Sequence, residues 1–172
     1  MLDDEAVLIG LGANLPGAWG PPRRALGAAL ERLEAVGVRI VRRSRLWWTR
    51  PVPDDGQPWY CNAVDLVATD LPAPALLALL LAVEAECGRV RSVANAPRVL
   101  DLDLLAYGRL LSADGAPLLP HPRLPERAFV LLPLADVAPA WRHPATGDGV
   151  RTMLTRLPAD HGAEPAENPE DW

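Results

Sequence analysis

Two kinds of hydrophobic spacing alternate along the chain. Short apolar or alternating stretches predict four strands, at Val7–Gly12, Val38–Trp48, Tyr60–Ala68 and Val99–Tyr107. Apolar residues spaced three and four apart predict helices over Pro22–Val36 and Ala73–Cys87. Proline stands at the start of both helices and glycine follows both, which is the usual asymmetry of helix ends.

The predicted elements follow the order β-α-β-β-α-β. This order is typical of the ferredoxin-like sandwich, an α+β fold in which helices pack on one face of an antiparallel sheet. Glu126–Val137 and Val150–Leu157 predict C-terminal helical additions to it. We therefore expect a single domain over residues 1–157, followed by an acidic, disordered tail over residues 158–172.

Charge is distributed unevenly along the chain. The net charge is −5, and the last fifteen residues hold five acidic side chains and no arginine, so the rest of the chain is formally neutral. A neutral body does not favour nucleic-acid binding, which needs a basic excess. All 17 basic residues are arginine, which excludes a Walker-type phosphate loop because that loop needs a lysine. Base-composition bias is an alternative reason for the missing lysines.

Cysteine content and hydropathy indicate where the protein works. Cys61 and Cys87 are the only cysteines, and neither stands at metal-ligand spacing, so a reducing cytoplasm is expected. No apolar run is long enough to span a membrane, and the acidic N-terminus is not a secretory signal. We expect a cytoplasmic monomer that binds neither membrane nor nucleic acid, although the leucine-rich helix leaves a helix-mediated contact open.

Asp101 and Asp103 interrupt the last predicted strand. Residues i and i+2 of a strand share a face, so Leu100, Leu102 and Leu104 would face the helices while both aspartates project from the open face. Neighbouring carboxylates raise each other's pKa, and a divalent cation such as Mg²⁺ removes that conflict. The spacing also suits a two-metal site. The alternative is a solvated strand face with the aspartates paired to arginines.

Arginines surround this pair in the sequence. Residues 89–127 contain six arginines against four acidic side chains. Arginine combined with metal-bound carboxylates is what holds a polyphosphate and neutralises charge as phosphoryl groups move. His121 lies between two prolines in the same region, and it is either a ligand contact or a structural histidine.

The remaining polar motifs are less specific. The glycines of Gly10-Leu-Gly-Ala-Asn-Leu do not fit a dinucleotide fingerprint, because its third glycine position is Leu15. Gly12 and Asn14 are instead expected to let the chain turn out of the first strand. Thr49, Tyr60 and Asn62 flank a Pro/Gly/Asp-rich loop and suit a flat heteroaromatic ligand, although a loop with a strand start is the alternative.

Five segments together carry a resemblance to a known family. They are IGLGANL (9–15), TRPVPDDGQPWYCNAV (49–64), ECGRVR (86–91), APRVLDLDLLAYG (96–108) and PHPRLPERAFVLLPLADVAP (120–139). The chain resembles the 6-hydroxymethyl-7,8-dihydropterin pyrophosphokinases of folate biosynthesis. The resemblance implies the ferredoxin-like fold, and Mg²⁺-dependent transfer of the β,γ-pyrophosphoryl unit of ATP to the pterin hydroxymethyl oxygen with release of AMP.

The resemblance also implies a role for individual residues. Asp101 and Asp103 would hold two Mg²⁺ ions and would be catalytic together with Arg89 and Arg98. The positions matching the ATP site are Glu84, Arg89, Arg91, Arg98, Leu104, His121 and Arg127. Those matching the pterin pocket are Thr49, Arg50, Val52, Tyr60, Asn62 and Phe129.

The chain departs from the family pattern in three loops. The loop ahead of Pro120 and His121 lacks an arginine that some members place on ATP. Residues 92–97 read SVANAP, without the tryptophan that well-known members present there, and Arg50 stands where proline is frequent. Two other functions fit the residues less fully. One is another Mg²⁺-dependent phosphoryl or nucleotidyl transferase on the same fold, and the other is a non-catalytic ferredoxin-like ligand-binding module.

Overall fold

A computed structural model describes residues 5–51, 53–89, 97–166 and 172 of the chain. The elements of this mixed α/β fold are the strands β1 (Val7–Ala13), β2 (Arg39–Arg43), β3 (Trp47–Thr49), β4 (Tyr60–Ala68), β5 (Asp101–Tyr107) and β6 (Ala163–Pro165), the helices α1 (Pro22–Ala35), α2 (Ala73–Glu86), α3 (Ala128–Val137) and α4 (Val150–Thr155), and a 3-10 turn at Leu124–Glu126. The two long helices end within one residue of their predicted bounds.

All pairings between these strands are antiparallel. β1 lies between β5 and β4, while β2 and β3 pair with different halves of β4, and β6 adds to β3. The antiparallel sheet predicted from the sequence is confirmed. Because β1 and β4 are central, they are buried along almost their whole length.

The predicted second strand is two strands in the structure. Ser44 interrupts it: its backbone N–H donates to the Val64 carbonyl at 3.1 Å, and its hydroxyl accepts the Val64 N–H at 3.0 Å. A side chain thus takes a hydrogen bond that a continuous ladder would have given to the backbone. As a result, β2 covers residues 65–68 of β4 and β3 covers residues 60–62.

Helices cover both faces of the sheet, contrary to the expectation of one covered face. Leu26, Leu30 and Leu33 of α1 pack with the inward side chains of α2 on one face, in a core that includes Ile9 and Leu102. On the other face α3 and α4 bury a second core, whose members are Leu8, Val64, Leu66, Leu105, Leu131, Leu134 and Met153, among others. The C-terminal additions therefore cover half of the face that a plain sandwich leaves open.

The acidic tail departs from its prediction over residues 163–165. These residues form β6, in register with β3 through Thr49–Ala163, Trp48–Glu164 and Trp47–Pro165. The Trp172 indole also donates to the Ser44 carbonyl at 3.1 Å. Within the described parts of the chain, no helix is long and apolar enough to cross a membrane.

Candidate active site

A cleft of about 420 Å³ opens on the half of the second face that α3 and α4 leave uncovered. Its floor consists of Gly12 at the end of β1, Thr49 of β3 and Asn62 of β4. Arg98 and Asp101 line one side at the start of β5, and Arg127 and Phe129 line another at the start of α3. The topology thus collects residues that are far apart in the sequence.

The β5 carboxylates have the orientation expected from the sequence. Leu100, Leu102 and Leu104 belong to the core under α1 and α2. Asp101 and Asp103 therefore lie on the opposite face, where Asp101 lines the cleft. Burial is the main reason that the pKa of Asp103 is raised to about 7, and the neighbouring Asp101 carboxylate adds to the shift.

Asp101 is held by two arginines. Arg98 Nη1 donates to Asp101 Oδ2 at 2.9 Å, and Arg89 Nη1 forms a close ion pair with Asp101 Oδ1. The Arg89 side chain is 8% exposed, so this charge pair is screened little by solvent. Arg98 and Asp101 therefore line one end of the cleft together, and Arg89, which is not among the lining residues, reaches the same aspartate.

Glu84 holds Arg89 in place on the buried side of this group of charges. Its carboxylate is buried, accepts the Leu102 N–H at 2.7 Å, and accepts a hydrogen bond from Arg89 at 2.7 Å. Glu84 does not line the cleft, and it ties α2 to β5 and orients Arg89. Leu104, another residue matched to the ATP site, is 4% exposed in the core, so the expected ATP contact does not hold for its side chain.

A second group of cations lies around the start of α3. Arg123 and Arg127 both line the cleft, and the Arg127 guanidinium stacks over the Phe129 ring at 5.3 Å. Burial and the Arg123 charge lower the pKa of Arg127, which indicates a cationic cluster that an anion would stabilise. His121 is half-buried nearby, and burial followed by the Arg127 charge lowers the pKa of its imidazole.

The residues matched to the pterin pocket form the floor and the opposite wall. Asn62 is buried, and its amide Nδ2 donates to the Thr49 hydroxyl. A Cβ at Gly12 would lie 2.5 Å from the Asn62 Oδ1, so glycine is needed there to leave room for this amide. Tyr60 and Phe129 present flat rings to the same cleft. Val52 and Arg91, also predicted from the resemblance, lie outside the described residues.

Asn14 is a structural centre that sequence reasoning did not find. Its Nδ2 donates to the Gln57 Oε1 and to the Pro58 carbonyl, both at 3.1 Å, and its Oδ1 accepts the Arg98 N–H at 2.8 Å. One buried amide thus holds residues 57 and 58 and the Arg98 segment against the end of β1. A single polar residue after an apolar strand gave no signal of these two long-range contacts.

The C-terminal segment also contributes to the cleft. Leu157, Pro158, Asp160 and His161 line it, and none of them was predicted as a site residue. Within the described part of the chain, no group of three or more histidine, cysteine or acidic side chains has the arrangement of a metal site. A cation at Asp101 and Asp103 would therefore rely on two carboxylates and on oxygen atoms that a ligand brings.

Residues 8–139 match the family described as 7,8-dihydro-6-hydroxymethylpterin-pyrophosphokinase. A 2-amino-4-hydroxy-6-hydroxymethyldihydropteridine pyrophosphokinase of Methylorubrum extorquens is 41% identical over 150 residues, covering 87% of this chain and 91% of that protein. The enzyme of the same description from Pseudomonas aeruginosa is 40% identical over 141 residues, covering 81% of this chain and 85% of that protein.

Longer proteins contain a similar region. The folic acid synthesis protein fol1 of Pneumocystis carinii is 36% identical over 95% of this chain, which spans only 22% of its length. A crystal structure of the Plasmodium falciparum HPPK-DHPS protein with SDX-DHP superposes with a TM-score of 0.67 at 13% identity, over 93% of this chain and 47% of that one. At that identity the match concerns the fold.

Proposed function

This chain belongs to the 7,8-dihydro-6-hydroxymethylpterin-pyrophosphokinase family, and we propose that it transfers pyrophosphate from ATP to 6-hydroxymethyl-7,8-dihydropterin in folate synthesis. The observation that carries the proposal is the cleft itself. It places the charged side chains of Arg98, Asp101 and Arg127 within one enclosure with the Asn62 amide and the Phe129 ring. A polyphosphate and a flat heterocycle are the ligands that these two groups of side chains fit.

The charged end of the cleft is proposed to bind ATP. Arg98, now paired with Asp101, would turn towards phosphate oxygens, and Arg89 would contact them from its position on Glu84. Arg127 and His121 would contact the nucleotide from the α3 side. Because Arg89 is fixed from below by Glu84, its guanidinium is preorganised and loses little freedom on binding. Charge-assisted hydrogen bonds of this kind are stronger than neutral ones.

Asp101 and Asp103 fit a site for Mg²⁺, of which we propose two ions. Both donors are carboxylates on one face of β5, and burial together with the neighbouring Asp101 carboxylate disfavours the charged form of Asp103, a cost that a divalent cation would offset. When bound there, Mg²⁺ would supply charge neutralisation to the phosphates during transfer. The residues themselves position the two substrates, and no covalent nucleophile is required of the chain.

The opposite end of the cleft is proposed to bind the pterin. The Asn62 amide, fixed by Thr49, would recognise the polar edge of the ring system, and Tyr60 and Phe129 would pack against its faces. With the ring held there, the hydroxymethyl oxygen would point towards the charged end, in line for attack on the β-phosphorus. The enzyme would act as a monomer, which sedimentation of the purified protein tests.

Acceptor dependence tests this assignment. Purified protein supplied with ATP and Mg²⁺ should consume ATP only after 6-hydroxymethyl-7,8-dihydropterin is added. Asp103→Asn should fold normally and lose pterin-dependent turnover by more than about 100-fold, whereas Asp114→Asn, an exposed change in a distant loop, should not. ATP consumption that ignores the pterin, or near-normal turnover of Asp103→Asn at limiting Mg²⁺, would contradict the proposal.

A further inference from the structure

The C-terminal segment Leu157–Ala166 forms a wall of the cleft. Leu157, Asp160 and His161 line it together with Thr49 and Phe129. Without this segment the cleft would be open beyond β3. The segment is therefore part of the candidate active site, although the sequence predicted most of it to be an acidic tail.

Main-chain hydrogen bonds hold the wall in place on both sides of β6. The Arg50 N–H donates to the Gly162 carbonyl at 2.8 Å, and the Ala166 N–H donates to the Leu46 carbonyl at 2.8 Å. An ion pair joins Arg50 to Asp160 at 3.6 Å, but the two side chains are 42% and 76% exposed. Exposed pairs contribute little, so the strand pairing is what positions the segment.

The register of this pairing gives the position of His161. Ala163 lies opposite Thr49, and the Gly162 carbonyl bonds to Arg50, so His161 comes next along the antiparallel direction, beside Pro51. It therefore lies at the end of the cleft that contains Thr49, away from Arg98 and Asp101. This is the end proposed above to receive the pterin.

We propose that His161 is a specificity-determining residue for the acceptor, whose imidazole packs against the edge of the pterin ring between Tyr60 and Phe129. The inference rests on the proposed function, since it takes a pterin as the acceptor. Tyr60, Phe129 and His161 are the flat side chains among the described residues that line the cleft, and they reach it from β4, α3 and the C-terminal segment. Aromatic rings favour offset-stacked and edge-to-face contacts with one another, so rings from three elements can contact one heterocycle from different sides.

Three variants test this role. His161→Ala removes the ring, His161→Phe keeps a flat ring without its nitrogens, and Glu164→Gln changes an exposed side chain of β6 that does not line the cleft. The measurement is the calorimetric Kd of 6-hydroxymethyl-7,8-dihydropterin in the presence of Mg²⁺ and a non-hydrolysable ATP analogue. The Kd of the analogue and the KM of both substrates are measured alongside.

We expect His161→Ala to raise the pterin Kd and KM about 2- to 12-fold, the range of one aromatic pair, with the ATP constants unchanged. His161→Phe and Glu164→Gln should stay within about twofold of the wild type, since the first keeps an aromatic ring in contact with the pterin and the second is remote. An unchanged pterin Kd for His161→Ala, an equal rise for the ATP analogue, or a His161→Phe as weak as His161→Ala would overturn the inference.

The binding measurement separates this inference from the proposed function. A wild-type protein that binds the pterin but does not consume ATP with it would contradict the proposed function and leave the test of His161 valid. A wild-type protein that turns over normally, with His161→Ala unchanged, would overturn the role of His161 alone.

Discussion

Asp65 lies in the middle of β4. Its replacement by asparagine is expected to increase the free energy of unfolding relative to the wild type, by an amount that grows as pH rises. The residue is 0% exposed, and neither carboxylate oxygen has a hydrogen-bond partner among the described residues. Alternation along β4 places it on the same face as Ala63 and Val67, in the core under α1 and α2 and away from the cleft. A buried carboxylate in this position costs free energy when ionised.

The size and sign of the effect follow from the pKa. Burial raises the pKa of Asp65 from 3.8 to about 7, and the Arg43 charge opposes this shift. The unfolded chain ionises from pH 3.8 upward while the folded state keeps its proton until about pH 7, so wild-type stability falls through this window. At about 1.4 kcal/mol for each pH unit, the full loss is about 4 kcal/mol, an upper bound because buried charges relax their surroundings.

Urea unfolding followed by tryptophan fluorescence, at several pH values from 5 to 8.5 and constant ionic strength, measures this difference. The gain in unfolding free energy of Asp65→Asn over the wild type should grow by about 2–3 kcal/mol across that range. Any constant cost of burying the amide cancels in this comparison. Asp70→Asn changes an exposed side chain just after the end of β4, and its difference from the wild type should not grow with pH. A pH-independent difference for Asp65→Asn would refute the reasoning.

Two further substitutions test the residues that position the side chains of the cleft. Gly12→Ala places a methyl group 2.5 Å from the Asn62 Oδ1, so the KM for the pterin should rise about tenfold or more. The control Gly27→Ala, where a Cβ would have nothing within 4 Å, should leave stability unchanged or increase it. Equal pterin kinetics in the two variants would contradict this expectation. Glu84→Gln breaks a buried ion-pair network, so it should lower the free energy of unfolding by about 1–3 kcal/mol and also reduce kcat. The control Glu86→Gln changes a side chain that is 60% exposed on the same helix, and it should change neither quantity. Denaturation curves and steady-state rates of the four variants check both expectations, and a Glu84→Gln as stable as Glu86→Gln would show that the network contributes nothing.

Local sequence patterns were sufficient to predict most of the helices and strands. Helix bounds could be predicted because proline and glycine mark both ends of α1 and α2, and glycines 37 and 88 adopt the positive φ that ends each helix. The two faces of β5 followed from the alternation of leucine and aspartate. The resemblance to the pyrophosphokinases, confirmed by the family match, rested on motifs whose residues converge on one cleft.

Long-range contacts account for what the sequence did not reveal. The break at Ser44 depends on a hydrogen bond to Val64, twenty residues away, and local propensity contains no trace of it. β6 is three residues long, includes a proline and lies in an acidic stretch, so only its pairing with β3 stabilises it. The bridging role of Asn14 and the wall at His161 have the same origin, since both depend on which segments the fold brings together.

The nature of the products tests the central claim most directly. ³¹P NMR of a reaction containing the wild-type protein, ATP, Mg²⁺ and 6-hydroxymethyl-7,8-dihydropterin distinguishes AMP, ADP and a pterin diphosphate in one spectrum. Attack on the β-phosphorus predicts AMP and pterin diphosphate in equal amounts, with no ADP. The appearance of ADP with a pterin monophosphate, or of inorganic pyrophosphate with unmodified pterin, would contradict pyrophosphate transfer by this site.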